Sequence, residues 1–292
     1  MPAVSVILPT CDRAALLPRA LASLLRQTCD DFEVLLIDNN RREPPLAEQP
    51  ALASWLADPR VRLFSGAVAT NAAQARNVGL SAARGEWVSY LDDDDAYQPD
   101  KLARQLSLAR VTSAPLVLCG AAFHLPGRLR RVQCDATQWT GDDVLLRARW
   151  NTPLLFHRHP GALRFDAALG AGEDAEFAHR LLHGSGAAAV PVVPAALVDI
   201  FPQLGPRVNA AAGPQLRAAA RILAVRRGEF SRGARRRFVL ATLLISAKRA
   251  GAPARCAEIG WRLWRESRGA DWRTSANALL FCVPGLRRWL VS

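Results

Sequence analysis

The sequence predicts an α/β protein built on one mostly parallel sheet flanked by helices, with a helical region at its C-terminal end. Three observations predict it. Over about the first 110 residues, short apolar runs alternate with amphipathic helical segments, the β-α-β-α pattern of a parallel sheet. The apolar runs end in polar or acidic residues: Pro9-Thr10-Cys11-Asp12-Arg13, Asp38-Asn39-Asn40 and Asp92-Asp93-Asp94-Asp95. From about Ala210 onward, strand-like runs cease and only helical spacing remains.

Val4 to Pro9 is a buried first strand by its apolar residues. Ala14 to Gln27 follows as a helix, with Leu17, Leu21, Leu24 and Leu25 at helical spacing. Phe32 to Asp38 is a second strand. A Pro-rich loop leads to a short helix near Ala47 to Ala57, then to a strand over Val61 to Phe64. Asn71 to Arg84 reads as an Ala-rich helix with Gly85 as its C-terminal cap. Trp87 to Leu91 is a strand, and Pro99 opens a helix to about Arg110. Right-handed crossovers place the loops after these strands on one edge.

The middle is less regular. Leu116 to Phe123 and Arg131 to Cys134 read as two strands, paired antiparallel. Gly141 to Arg149 reads as a short helix and Leu154 to His157 as a strand. Gly170-Ala171-Gly172 is a flexible loop before a helix over Glu173 to His183, and Ala187 to Val193 is a last strand. Four helices are expected after it, over 214–227, 232–250, 253–268 and 273–291. The expected boundary lies at 205/206, between an α/β domain of residues 1–205 and a basic helical region of residues 206–292.

Half of the chain is hydrophobic, so it is a globular protein rather than a disordered one. The six cysteines include no Cys-x-x-Cys pair, which argues against a zinc site or disulfide framework and for a reduced, cytoplasmic setting. No run of about 20 apolar residues is present to span a bilayer. The net charge of +12 is unevenly placed: residues 201–292 hold 18 Lys/Arg against 4 Asp/Glu, and the first 200 hold 20 against 22. That asymmetry points to an anionic partner for the C-terminal third, membrane lipid or nucleic acid.

Two constellations carry chemistry. Four adjacent carboxylates cannot continue a strand, because like charges repel and an unpaired carboxylate is costly to bury. They sit at a strand end, where hard oxygen ligands seat Mg²⁺ or Mn²⁺, on the edge where open α/β sheets bind ligands. Asp94, helped by Asp92, is the candidate metal pair. Asp38 or Asn39 at a neighbouring strand end is placed to read a base or ribose, the alternative being a turn or cap residue; Arg13 and Arg76 are placed to contact phosphate or base, the alternative being plain surface positions. Glu173-Asp174, after the glycine loop, is the candidate general base; the alternative is helix-end charge that complements the macrodipole. His179 and His183 stand four apart on a helix, a weak metal-ligand spacing. No GxxxxGK[ST] or GxGxxG occurs at a strand-to-helix junction, so P-loop and dinucleotide-binding readings lack support.

The residues in their order resemble the family 2 glycosyltransferases of the GT-A fold, a single Rossmann-like sheet flanked by helices. The resemblance lies in Val4 to Thr10 with Arg13, Phe32 to Asp38, Ala75-Arg76-Asn77-Val78-Gly79-Leu80, Ala83 to Val88, Leu91 to Asp95 with Pro99 and Leu102, and Phe165-Asp166 through Gly172-Glu173-Asp174 to Arg180-Leu181. It covers roughly residues 3–200. It implies inverting transfer of one sugar from a nucleotide-diphosphate sugar to a glycan hydroxyl, a lipid-linked cell-surface polysaccharide by expectation. It implies that Asp94 and Asp92 hold Mg²⁺ or Mn²⁺, and that Asp174 is the base with Glu173 beside it. Pro9, Thr10, Arg13, Asp38, Asn39, Arg76, Asp92 and Asp93 would bind the nucleotide sugar. The family usually has two acidic residues after the second strand; here the second is Asn39, an amide that both donates and accepts, so the base preference is open among UDP, dTDP and GDP. The Gln-x-x-Arg-Trp motif of processive synthases is absent. A basic C-terminal region docking on the inner face of the cytoplasmic membrane fits this reading, with no nucleic acid expected as a partner. The rivals are a nucleotidyltransferase of similar fold, whose glycine-bearing loop after the first strand is missing, and a non-catalytic nucleic-acid-binding protein, which leaves both carboxylate motifs unexplained.

Overall fold

The computed structural model describes residues 1–66, 69–132, 138–140, 144, 151–169, 171–202 and 212–226, with isolated positions between 238 and 265. The strands are β1 (Val4–Thr10), β2 (Phe32–Asp38), β3 (Val61–Phe64), β4 (Trp87–Tyr90), β5 (Ala96–Tyr97), β6 (Leu116–Leu125), β7 (Arg128–Val132), β8 (Gln138–Thr140), β9 (Phe156–Arg158) and β10 (Ala189–Ile200). The α-helices are α1 (Leu17–Leu25), α2 (Ala53–Leu56), α3 (Ala72–Ala82), α4 (Lys101–Thr112), α5 (Glu173–Ser185) and α6 (Ala212–Arg226). The expected helix over 141–149 and most of those over 232–291 lie outside the described residues.

The chain divides into two compact units. The first comprises residues 1–141, 149–167 and 177–203 and contains the sheet; the second comprises 142–148, 168–176 and 204–292. The sheet runs in the order β3-β2-β1-β4-β9-β6-β10-β5, with β7 paired to β6 and β8 to β10. β1, β2, β3 and β4 are parallel. β9 lies antiparallel between β4 and β6, so β6 and its parallel neighbour β10 point the same way as β4. The ends of β1, β2, β4, β6 and β10 therefore share one edge.

β1 and β2 are apolar on both faces, and Val6, Ile7, Leu8, Val34, Leu35, Leu36 and Ile37 are fully buried, as in a parallel sheet covered by helices on both sides. α1 contributes Leu17, Ala20, Leu21 and Leu24 to that core. α3 starts at an Asn71 cap, whose Oδ1 accepts from the Gln74 N–H at 3.0 Å. Its Asn77 amide then holds the Phe165 backbone from both sides, accepting from its N–H at 2.8 Å and donating to its C=O at 3.0 Å. In the second unit, Leu169, Ala218 and Ile222 form a buried cluster on which Ala175 and Phe238 pack.

Three differences from the expected elements have physical reasons. Gly85 does not cap α3: the helix ends at Ala82, and Ala83 is already extended. Glycine is needed there because a Cβ would stand 2.6 Å from the Ser5 backbone nitrogen and 2.8 Å from the Val4 carbonyl carbon. β10 continues past Val193 to Ile200, through Pro194, by shifting register between Val193 and Ala196 and again between Ala196 and Val198. Proline donates no ladder hydrogen bond, so such an irregularity is where a strand tolerates it. β5 and β8 are two and three residues long, too short for periodicity to register.

The tight approach of the chain to β1 sets a measurable contrast. At Gly79 the atoms nearest an added Cβ belong to the Ile7 side chain, the first at 2.5 Å, whereas at Gly85 the nearest is backbone. Gly85→Ala is expected to lower stability by about 3 kcal/mol, at the severe end of overpacking, and Gly79→Ala by less, because alanine recovers about 1 kcal/mol of helix propensity. Denaturant unfolding of the two variants checks the order.

Candidate active site

The acid run after β4 is a turn: the Asp95 N–H donates to the Asp92 C=O at 3.1 Å. It separates the four carboxylates by alternation. Asp93 and Asp95 point inward and are 4% and 3% exposed. Asp92 and Asp94 stay half-buried, with 31% and 19% of their side-chain surface open. Asp93 accepts from Thr10 Oγ1 at 2.7 Å and faces Arg13 Nη2 at 3.1 Å. Burial pushes its pKa up to about 6; Arg13 and Thr10 oppose this, and Asp94 and Asp92 add to it. Asp95 is raised further, first by burial and then by Asp92 and Asp94, although the Phe201 N–H donates to it at 3.0 Å. The structure thus presents two of the four carboxylates outward and buries the other two.

Arginines answer the outward pair. Arg13 Nη2 lies 2.5 Å from Asp94 Oδ2, and Arg76 Nη2 lies 2.9 Å from Asp92 Oδ1. Arg19 donates to the Asp94 backbone carbonyl and stacks 3.9 Å over the Phe201 ring. Arg76 is seated against the Phe165 ring at 5.8 Å, and that ring meets Tyr90 edge-on and Phe177 face-on. Arg13 and Arg76, expected along a nucleotide, are brought onto the acid turn itself.

A buried polar layer supports the turn from below. Lys101 is fully buried at the start of α4 and donates to Ser89 Oγ at 2.9 Å and Gln105 Oε1 at 2.7 Å, with the Tyr97 ring 4.0 Å away. Tyr97 in turn donates to the Tyr90 carbonyl. Tyr90 Oη and His157 Nε2 are 2.8 Å apart, and His157 Nδ1 meets the Arg158 carbonyl at 2.7 Å. With Nδ1 donating to that carbonyl, Nε2 accepts from the phenol, so the imidazole is neutral; burial lowers its pKa to about 4. Burial likewise lowers Lys101 to about 8. Sequence reasoning missed Arg19, Lys101 and His157. Only Lys101 left a trace, two residues after Pro99 at a helix start.

The second strand end behaves differently. Both oxygens of Asp38 are committed to the loop that follows: Oδ1 accepts from the Asn40 N–H at 3.1 Å, and Oδ2 from the Leu46 N–H at 2.8 Å and Ser65 Oγ at 3.3 Å. Asn39 Oδ1 accepts from the Ala69 N–H at 3.1 Å. Together with Arg41, Ser65 and Thr70 they line a cleft of about 400 Å³. Pro9 pairs with Ile37 in the sheet, one residue short of this edge.

Glu173 and Asp174 lie in the second unit, in the first turn of α5, with Glu176. Gly172 precedes them at φ +72°, a conformation that favours glycine. The Ala175 N–H donates to Asp174 Oδ1 at 2.8 Å. Gly170 lies outside the described residues. On the same helix the His179 and His183 rings are 6.2 Å apart. Among the described residues no group of three or more His, Cys, Asp or Glu is arranged to hold a metal alone.

The chemistry of the donor set fits a divalent cation nonetheless. Mg²⁺ is commonly held by one or two carboxylates, with substrate phosphates and water completing the shell. Asp92 and Asp94 are such a pair, and the two arginines beside them suit a diphosphate.

Comparisons with known proteins give the family and the fold. The family model described as glycosyl transferase family 2 matches residues 5–170. The succinoglycan biosynthesis protein ExoO of Rhizobium meliloti is 31% identical over 191 residues, covering 60% of this chain and 54% of ExoO. The putative colanic acid biosynthesis glycosyl transferase WcaA of Escherichia coli is 31% identical over 102 residues, covering 35% of this chain and 36% of WcaA. The chain thus spans about half or less of these curated relatives. Staphylococcus aureus TarS 1–349 in complex with UDP-GlcNAc superposes with a TM-score of 0.64 at 16% identity, over 97% of this chain and 82% of that one. The mannosyltransferase PcManGT of Pyrobaculum calidifontis, with GDP-Man and Mn²⁺, gives 0.57 at 17%, over 99% and 83%. At such identities the structures show the fold alone, and that fold is GT-A.

Lys101 generates a pH prediction. Its folded pKa of about 8 lies below its ordinary 10.5, so between these values the unfolded chain binds the extra proton. Stability is therefore expected to rise with pH across that window, by on the order of 3 kcal/mol in total. Lys101→Met should abolish the rise, as read by denaturant unfolding between about pH 8 and about pH 10.

Proposed function

The chain belongs to glycosyl transferase family 2, and on that premise we propose that it transfers one sugar from a nucleotide-diphosphate sugar to a hydroxyl of a glycan, with inversion at the anomeric carbon. The observation that carries the proposal is the outward pair Asp92 and Asp94, each faced by an arginine, at the shared edge of the sheet. A Mg²⁺ or Mn²⁺ held by Asp94 and Asp92 would neutralise the donor diphosphate and act as a Lewis acid on its departing oxygens.

The chain's own residues do the rest. Arg13 and Arg76 stand where they can turn from carboxylate to phosphate once donor arrives, since a guanidinium binds either in the same forked geometry. Thr10 and Asp93 fix Arg13 from behind. Pro9, Asp38 and Asn39 shape the nucleoside end of the site; Asp38 does so through the loop it holds, and Asn39 offers an amide where relatives have a carboxylate. UDP, dTDP and GDP are the donors to screen. Asp174 takes the proton from the acceptor hydroxyl as its oxygen attacks the anomeric carbon and the sugar–diphosphate bond breaks. Glu173 beside it reinforces the negative field, and Gly172 lets the pair move on acceptor binding.

The names of the relatives, succinoglycan and colanic acid biosynthesis, favour a polysaccharide acceptor, and we assign a lipid-linked glycan. The C-terminal region of residues 206–292 supplies the docking charge, with the strongly basic tail beyond residue 200 facing anionic lipid. Among the described residues no helix is long and apolar enough to cross a membrane; in this reading the enzyme is peripheral, on the cytoplasmic face, held by the charge of that region.

With Mn²⁺, an acceptor extract and a panel of UDP-, dTDP- and GDP-sugars, the wild type is expected to release nucleoside diphosphate from one donor. Asp174→Asn is expected to keep donor affinity and lose about 10²- to 10⁴-fold in kcat, the share of a general base. Unchanged kcat in Asp174→Asn would remove it from the reaction.

A further inference from the structure

The hairpin of β6 and β7 is not used by the reaction described above. It runs well past the level at which β4 ends: His157 pairs with both Val88 and Leu116, and from those levels β4 continues to Tyr90 and β6 to Leu125. The hairpin thus projects beyond the edge that carries the acid turn. A Pro126-Gly127 turn closes it, with Gly127 at φ +66°.

It is fastened to the acid turn near its tip. His124 Nε2 lies 2.8 Å from Asp199 Oδ1, and its ring stacks on Phe201 at 4.3 Å. Phe201 carries Arg19 on its ring and donates its N–H to Asp95. Its tip is basic and apolar together. Arg128, Arg130 and Arg131 are exposed; their backbones pair with β6, and their guanidinium groups have no hydrogen bond or ion pair among the described residues. Leu129, between them, is 49% exposed and sits opposite His124.

We propose that this hairpin is a membrane-contact element: its three arginines pair with the phosphates of an anionic lipid surface while Leu129 enters the interfacial layer. Arginines flanking an exposed apolar residue match an interface that offers phosphate and hydrocarbon within a few ångströms of each other. A nucleic acid would ask for exposed aromatic side chains on which bases stack, and the hairpin has none among its described residues. An acidic glycan would leave Leu129 without a partner. Contact here would hold the acid turn close to the lipid surface, where a lipid-linked acceptor is presented. The inference extends the membrane reading of the C-terminal region and stands on a separate part of the chain.

The test is sedimentation of the full chain with vesicles of phosphatidylcholine containing about 30 mol % phosphatidylglycerol, and with pure phosphatidylcholine. Arg128→Ser/Arg130→Ser/Arg131→Ser is expected to weaken binding to the anionic vesicles about a hundredfold, roughly fivefold for each basic residue. Leu129→Ser, with the arginines kept, should also weaken binding to the anionic vesicles relative to the wild type. Full binding by both hairpin variants, with loss in Arg235→Ser/Arg236→Ser/Arg237→Ser, would overturn the hairpin proposal and leave the C-terminal one standing. Wild-type failure to bind would overturn both. Release by millimolar pyrophosphate at constant ionic strength would point to a discrete phosphate site and contradict a lipid surface.

Discussion

Four consecutive carboxylates at the end of a buried strand are the constraint on which the site depends. Left alike, they would repel one another at the van der Waals distance of neighbouring side chains. The backbone resolves this by turning after Leu91 so that alternate residues face opposite ways. Asp93 and Asp95 go inward, where burial favours their protonated forms. Asp92 and Asp94 go outward and keep an arginine each. Burial thus works against charge on the inward pair, and the outward pair stays open to solvent.

That partition needs a floor that does not yield. The strand before the turn is pinned on both faces: Ser89 belongs to the Tyr97, Lys101 and Gln105 layer, and Tyr90 belongs to the His157 and Phe165 layer. Burying an ammonium at a helix start with only neutral acceptors is costly. Here two hydrogen bonds and the Tyr97 ring offset the cost. The gain is rigidity in the two residues that set the direction of the turn, which is how a site is held within the tolerance that chemistry demands.

The core of the fold was legible because its signals are strong and local. β1, β2 and β4 are short apolar runs with polar stops, and α3 has its Asn71 cap. Asp92 and Asp94 were legible as a pair. What was not legible depends on contacts distant in sequence. Nothing in Asp-Asp-Asp-Asp says which two are buried; that follows from Thr10 and Phe201, brought in from β1 and from the end of β10. Gly85 reads as a helix cap from its neighbours, yet its reason is Ser5, eighty residues away. β10 hid behind its prolines. Arg76 was read toward a nucleotide, and its place against Asp92 appears only when α3 packs beside β4.

The central claim is that the outward pair, and not the buried one, binds the metal–nucleotide. Titration calorimetry of Mn²⁺ with the preferred nucleoside diphosphate tests it on wild type, Asp94→Asn and Asp95→Asn. The account predicts that Asp94→Asn weakens binding at least tenfold, since removing one carboxylate from a site of two costs a hydrogen-bond-scale increment or more. It predicts that Asp95→Asn, which replaces an inward carboxyl whose protonated form burial favours with a neutral amide of the same shape, binds as the wild type does. Loss of binding in Asp95→Asn with full binding in Asp94→Asn would contradict the account.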